Sequence, residues 1–250
     1  GHISRWGDRW RGIGFDQLML IDGDYAGSAD GAYRVFNADG GEVEQCGNGV
    51  RCVARFLAAE SGADSLTLAS AAGLVEARLL DDGKVGVDLG EPNFSPAALP
   101  FDTENEAPTY KLRVAEREVE FAVVSLGNPH AVVITDSVDD APVGILGAEL
   151  QEHSAFPKGV NVGFMEVLDT ERISLRVFER GVGETLACGT GAAAAVAVGR
   201  NRGLLAARVD VSLPGGMLEV SWQGPGSSLW LTGPTTWVYE GRIEYDPTRG

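Results

Sequence analysis

Three cysteines and three histidines are all that 250 residues contain of those two types. No stretch shows the spacing of a zinc site, and so small and odd a cysteine count does not suit a disulfide framework. Basic charge is scarce as well. Twenty Lys and Arg stand against 36 Asp and Glu, a formal net charge of −16 with a sequence pI near 4.5. A surface of that sign repels phosphate backbones and anionic membranes, so no nucleic-acid and no membrane partner is expected. No apolar run approaches the ~20 residues that cross a bilayer, and Gly1 to Trp6 carry no signal-peptide core. These absences point to a small-molecule substrate and a cytoplasmic, reducing setting. They set no oligomeric state and are compatible with a homodimer.

What is present is enough apolar residue, 44% of the chain, for one large core or two modest ones. Most of it falls in short alternating runs: Leu66 and Leu68; Val85, Val87 and Leu89; Ile173, Leu175 and Val177. Asp81-Asp82-Gly83-Lys84 and Leu213-Pro214-Gly215-Gly216 are turn chemistry between strands. Asn128 and His130 fall at or beside a loop between strands over 119–125 and 131–135. Only two stretches read strongly as helix. One follows Cys46 and stops at Ser61-Gly62. The other follows Cys188, and its almost pure Ala and Val composition suggests a buried helix inside a wrapped sheet. The Pro- and Ala-rich stretch 93–108 reads as a linker.

The two helix starts echo each other. Glu42-x-x-x-Cys46-Gly47-Asn48-Gly49 and Glu184-x-x-x-Cys188-Gly189-Thr190-Gly191 match at four positions in register. That predicts two pseudo-symmetric domains facing one another. Free N–H groups at a helix start bind anions, and the helix dipole favours negative charge. A thiol there tends toward thiolate character. Two such thiols aimed at one carbon suit proton abstraction from one face and delivery to the other. Oriented N–H dipoles would steady the carbanion without a cofactor. The plainer reading of any one cysteine is a small buried hydrophobe, and Cys52, inside the first helix without a glycine frame, is read that way. A phosphate loop is the other use of glycine at a helix start, but neither copy carries Gly-Lys-[Ser/Thr].

Phe36-Asn37-Ala38-Asp39-Gly40 leading to Gln45-Cys46-Gly47-Asn48-Gly49-Val50-Arg51-Cys52 resembles the first cysteine motif of the diaminopimelate epimerase family. Glu179-Arg180-Gly181-Val182-Gly183-Glu184 through Cys188-Gly189-Thr190-Gly191 resembles its second. Gly14-Phe15-Asp16-Gln17, Gly127-Asn128-Pro129-His130 and Asn161-Val162-Gly163-Phe164-Met165 are similar to further family blocks, in the same order. The resemblance implies an α/β (α+β) fold of two similar domains, each a curved, mostly antiparallel sheet around a central helix. The first would comprise residues 1–91 with 234–250, the second 92–233. It implies interconversion of LL- and meso-diaminopimelate with no cofactor, neither pyridoxal phosphate nor metal. Cys46 and Cys188 would be the acid/base pair. Gly47, Asn48, Gly189 and Thr190 would hold the carboxylate at the reacting centre. Asn37, Asn128, Asn161, Glu179 and Arg180 would bind the rest of the substrate, and Gln17 would line the site. His130 and Glu179 would also help set thiol protonation.

Plainer readings stand beside these. Asn37 is a typical turn residue, Arg180 could form a surface ion pair, and a lone loop histidine or glutamine is usually incidental. The family's opening strand, with its Gly-Asn-Asp-Phe block, is missing before Gly12-Ile13-Gly14-Phe15. A first-domain sheet short of a strand and weak or no turnover of the chain as written are therefore expected, with normal turnover once that segment is restored. Two rival functions remain: a racemase of another amino acid such as histidine or proline on the same scaffold, and a non-catalytic thiol redox or metal-binding protein. Arg180 with Glu179 favours a substrate with a second amino-acid head, and the absence of Cys-x-x-Cys tells against redox or metal use.

Overall fold

The computed structural model describes residues 1–22, 25, 27–43, 46–103, 105–114 and 117–243. Gln45, the first residue of one quoted motif, lies outside them. The chain forms two compact units, Gly1–Val87 with Pro234–Gly250, and Asp88–Gly233.

In the first unit a short helix α1 (His2–Gly7) precedes β1 (Gln17–Asp22), β2 (Gly31–Asn37), β3 (Glu42–Val43), α2 (Gly47–Ser61), β4 (Ser65–Ser70), β5 (Gly73–Leu79) and β6 (Val85–Asp88). Sheet order is β1-β2-β4-β5-β6, with β3 paired to β2. Among the described residues of this unit only β2 and β4 run parallel, because α2 carries the chain across between them. The helix is cut to length by its ends. Cys46 caps it in an extended conformation, and Gly62 ends it at φ 72°, the left-handed region that glycine favours. Val50, Val53, Ala54 and Leu57 form its buried stripe, at the spacing of one helix face.

The second unit contains β7 (Tyr110–Val114), β8 (Arg117–Ser125), β9 (Pro129–Ile134), α3 (Val143–Gln151), β10 (Asn161–Asp169), β11 (Arg172–Glu179), β12 (Gly183–Thr185), α4 (Gly189–Asn201), β13 (Arg208–Leu213), β14 (Gly216–Ser221) and β15 (Trp230–Gly233). Sheet order is β15-β14-β13-β11-β10-β9-β8-β7, with β12 on β11. Every residue of α4 from Gly189 to Gly199 is buried. The helix touches β8, β9, β10, β11, β14 and β15, so the sheet surrounds it. Alanine suits that position, since each methyl lets a strand approach closely.

The internal repeat goes deeper than the two cysteine frames. In unit 1, β2 pairs antiparallel with β3, α2 crosses over, and β4 returns parallel to β2. In unit 2, β11 pairs antiparallel with β12, α4 crosses over, and β13 returns parallel to β11. The two cysteines occupy the same step of one topology.

Two expectations need correction. The stretch 93–108 is no linker. Asn93 bridges to Ser125, and Leu99 and Phe101 belong to the core of unit 2 with Tyr110, Phe121 and Phe156. Phe101 stacks on Phe156 with ring centroids 4.8 Å apart. Its Pro and Ala shape an irregular path over that core. Nor are there only two helices, for α1 and α3 were not anticipated. Gly144 and Gly147 weaken the helical signal of α3, and packing compensates. A Cβ at Gly147 would stand 2.6 Å from the Phe178 side chain, so the glycine is what lets α3 sit on β11.

Candidate active site

In unit 1, Cys46 is the N-cap of α2, and its Sγ accepts the Gly49 N–H at 3.2 Å. The sulfur thereby takes up a donor that the first helical turn leaves unpaired. The cysteine is half-buried. Arg51, one turn further, is buried and donates Nη1 to the Gly47 carbonyl at 3.2 Å. Burial pulls its pKa down, and Cys52 and then Cys46 push it back up, which marks a cation close to both sulfurs. Gln17 and Asn37 are register partners on β1 and β2, and Gln17 Nε2 donates to Asn37 Oδ1 at 3.1 Å. Asn37 also serves the turn through its backbone, whose carbonyl accepts the Gly40 N–H at 2.9 Å. Asn48 is half-buried in the first turn of α2. Cys52 departs from expectation: it is exposed and lines a surface groove with Met19, Phe56 and Trp237. It falls outside the buried stripe of α2, so helical phase decides its exposure.

In unit 2, Cys188 caps α4 in the same extended conformation but is buried. Its Sγ lies 3.7 Å from Thr190 Oγ1. Asn128 Nδ2 donates to that hydroxyl at 3.2 Å, and His130 Nε2 lies 3.0 Å from Asn128 Oδ1. Thus Asn128, His130, Thr190 and Cys188 form one connected set. The expectation of a lowered thiol pKa fails here. Burial first, and the Glu179 carboxylate second, raise it well above the ordinary thiol range, against smaller opposing effects of the Gly191 N–H and the Thr190 hydroxyl. Desolvation of a thiolate outweighs one helix terminus. His130 is also buried, and burial with the nearby Arg180 charge lowers its pKa to about 3.

Glu179 ends β11, where the Thr185 hydroxyl donates to its Oε1 at 2.5 Å. Arg180 is exposed and donates Nη1 to the Lys158 carbonyl at 3.3 Å. Asn161 is buried with both amide ends on backbone: Nδ2 donates to the Pro129 carbonyl at 3.0 Å and Oδ1 accepts the Arg180 N–H at 2.9 Å. It ties the start of β9 to the turn after β11. Gln151 holds the same turn from α3, donating to the Glu179 carbonyl and accepting the Gly181 N–H.

Sequence reasoning found the cysteine frames but not what holds them. Arg34 grips Glu42 with two hydrogen bonds, at 2.8 and 2.7 Å. Arg176 grips Glu184 in the same two-pronged way, at 2.7 and 3.1 Å. Each pair clips the short strand before a cysteine to its neighbour. The signal was available, because Arg34-Val35-Phe36 recurs as Arg176-Val177-Phe178, in each case eight residues from arginine to glutamate. Thr185 and Gln151 had no such signal. Among the described residues, no group of three or more His, Cys, Asp or Glu could hold a metal ion, and no helix is long and apolar enough to cross a membrane.

The fold is shared with solved racemases and epimerases. A solved probable proline racemase from Agrobacterium radiobacter K84 superposes with a TM-score of 0.70 at 19% identity, covering 99% of this chain and 82% of that one. A hydroxyproline epimerase from Agrobacterium vitis gives 0.65 at 21%, covering 94% and 78%. At the level of sequence, the model of the diaminopimelate epimerase family matches residues 3–95 and 122–238. Diaminopimelate epimerase of Pseudomonas aeruginosa strain LESB58 is 48% identical over 244 residues, 97% of this chain and 88% of that protein. That of Nitrosomonas europaea is 49% identical over the same coverage. The chain belongs to the diaminopimelate epimerase family.

Proposed function

We propose that the chain interconverts LL- and meso-diaminopimelate by moving one Cα proton between two thiols, Cys46 and Cys188, with no cofactor. The observation that carries this reading is the duplicated frame: one cysteine N-cap in each unit, at the same step of the same topology. Inversion at carbon calls for one base on each face, and each unit supplies one thiol. A thiolate takes the Cα proton and becomes a thiol. The opposite thiol gives its proton to the other face and becomes a thiolate. Charge and protons balance, the protein is left protonated for the reverse reaction, and proton exchange of the two thiols with solvent restores the form that starts the forward one.

The first-turn N–H groups of Gly47, Asn48, Gly189 and Thr190 suit the α-carboxylate, whose charge they steady as the carbanion develops. For the distant amino-acid head, Arg180 offers an exposed planar fork for the carboxylate. The Glu179 carboxylate and the amides of Asn37 and Asn128 can accept from the ammonium. Asn161 acts through the Arg180 turn, since its amide is engaged with backbone. Gln17 orients Asn37.

The test is direct. LL-diaminopimelate incubated with the protein should give meso-diaminopimelate on chiral chromatography, with proline, hydroxyproline and histidine left unchanged. Inversion of one of those three, with diaminopimelate untouched, would overturn the substrate.

A further inference from the structure

Arg180 stands in a turn, after β11 has ended at Glu179 and before β12 begins at Gly183. Gly181 and Gly183 lie at φ 76° and 102°, where only glycine sits freely. One internal hydrogen bond closes the turn, from the Val182 N–H to the Glu179 carbonyl at 3.2 Å. A long side chain turns a small backbone rotation into a large displacement of its head, so a guanidinium on such a turn is aimed only if the backbone is held from outside. Two side-chain amides hold it. Asn161 Oδ1 accepts the Arg180 N–H at 2.9 Å. The Gln151 amide takes the groups on either side of Arg180: Nε2 donates to the Glu179 carbonyl at 3.2 Å, and Oε1 accepts the Gly181 N–H at 3.3 Å. The peptide group of a neighbouring strand would pair in the same way. Nε2 also donates to the Val160 carbonyl at 3.4 Å, on the segment along which the arginine stem lies. A Cβ at Gly159 would stand 3.2 Å from Arg180 Cγ and Cδ, and the Lys158 carbonyl accepts Nη1.

We propose that Gln151 is a specificity-determining positioning residue: from the end of α3 its amide fixes the backbone on both sides of Arg180 and so aims the guanidinium at the carboxylate of the substrate's distal head. Both hydrogens of Nε2 and the accepting oxygen are engaged with backbone, so Gln151 acts on the substrate only through Arg180. Its own seat is firm. Gln151 is the last residue of α3, and α3 is locked to β11 where Gly147 meets Phe178, two residues before Arg180. The Glu179 side chain has a separate hold. The Thr185 hydroxyl donates to its Oε1, and its backbone pairs with Gly183 of β12. Loss of the Gln151 amide therefore falls on the distal head and leaves the carboxylate beside Cys188 in place.

The role rests on the reading of diaminopimelate as substrate and of Arg180 as the partner of its distal carboxylate. Gln151→Met keeps the length and stem of the side chain and removes both ends of the amide. In the full chain it should raise the KM for LL-diaminopimelate about tenfold and leave kcat within about twofold, the pattern of binding lost equally from ground and transition states. Arg180→Met should raise KM further, and adding Gln151→Met to it should raise KM no more, because the two act through one contact. Exchange of the Gly181 amide hydrogen, followed by NMR in 15N-labelled chain, should quicken severalfold in Gln151→Met while the amides of α4 keep their rates. A fall in kcat at unchanged KM, or a KM effect that adds to that of Arg180→Met, would make Gln151 a residue of the fold alone and overturn the proposal. Unchanged Gly181 exchange would overturn the hold on the turn. No turnover of diaminopimelate by wild type would overturn the substrate reading, and the specificity role with it, even where quickened Gly181 exchange shows the amide gripping the turn.

Discussion

The two cysteine caps share backbone conformation, glycine frame, arginine–glutamate clip and position in the topology, yet their surroundings differ. Cys46 is half-buried, accepts a backbone N–H and has a buried guanidinium in range. Cys188 is buried, with a carboxylate beside it and its pKa raised. A repeated backbone frame therefore does not give its two sulfurs one environment, and a pair that begins a cycle in opposite protonation states needs such a difference.

The comparison breaks most visibly at low pH, because only the second site buries a histidine. His130 binds a proton near pH 6.5 when unfolded and near 3 when folded. Its contribution is intact above pH 6.5 and is lost progressively as pH falls from there toward 3, where the unfolded chain takes up a proton that the folded chain refuses. Denaturant unfolding should show a loss on the order of 3 kcal/mol between pH 6.5 and 4 from this group. His130→Gln should be less stable at neutral pH and flatter across that range. An unchanged slope would place the ring in water.

The paired glycines sharpen it next. A Cβ at Gly191 would meet Val177 Cγ2 at 2.9 Å and Cys188 Sγ at 3.3 Å, whereas one at Gly49 would meet the Met19 methyl. Val177 is a stiff, buried, β-branched side chain, while methionine can swing aside. Gly191→Ala should cost about 2 kcal/mol and Gly49→Ala clearly less, read as shifts in urea midpoint. Equal losses would show the two frames to be equally tight.

Glu179→Gln removes the charge that opposes the Cys188 thiolate. The Cys188 alkylation profile should move to lower pH by about one unit, while that of Cys46 stays in place. The smallest effect concerns the clips. The Arg34–Glu42 pair is mostly in water, and Arg34→Met should leave the urea midpoint almost unchanged. Arg176 is more enclosed and also donates to the Val138 carbonyl at 2.7 Å, so Arg176→Met should cost about 1–2 kcal/mol. The reverse ranking would mean that the clips do not act through burial.

Much of this architecture was legible because it is local. The helix after Cys46 announces itself by its apolar spacing and its Ser61-Gly62 stop, and α4 by a composition that only a surrounding sheet explains. What escaped depends on contacts distant in sequence. Gly147 reads as a helix breaker until Phe178 is seen against it. Leu99 and Phe101 look like linker residues until Phe156 covers them. Cys188 should be acidic by its place on a helix, and it is not, because burial and Glu179 come from elsewhere in the fold. Cys52 was within reach of the sequence, since helical phase alone sets it outside the buried stripe.

The two-thiol claim is tested most directly by epimerisation in deuterium oxide, with wild type, Cys46→Ser and Cys188→Ser compared by mass spectrometry and chiral separation. Wild type should place one solvent deuterium on the Cα of the inverted product, and either serine variant should lose inversion by at least about 100-fold while remaining folded. Inversion at the wild-type rate by either variant would contradict the account.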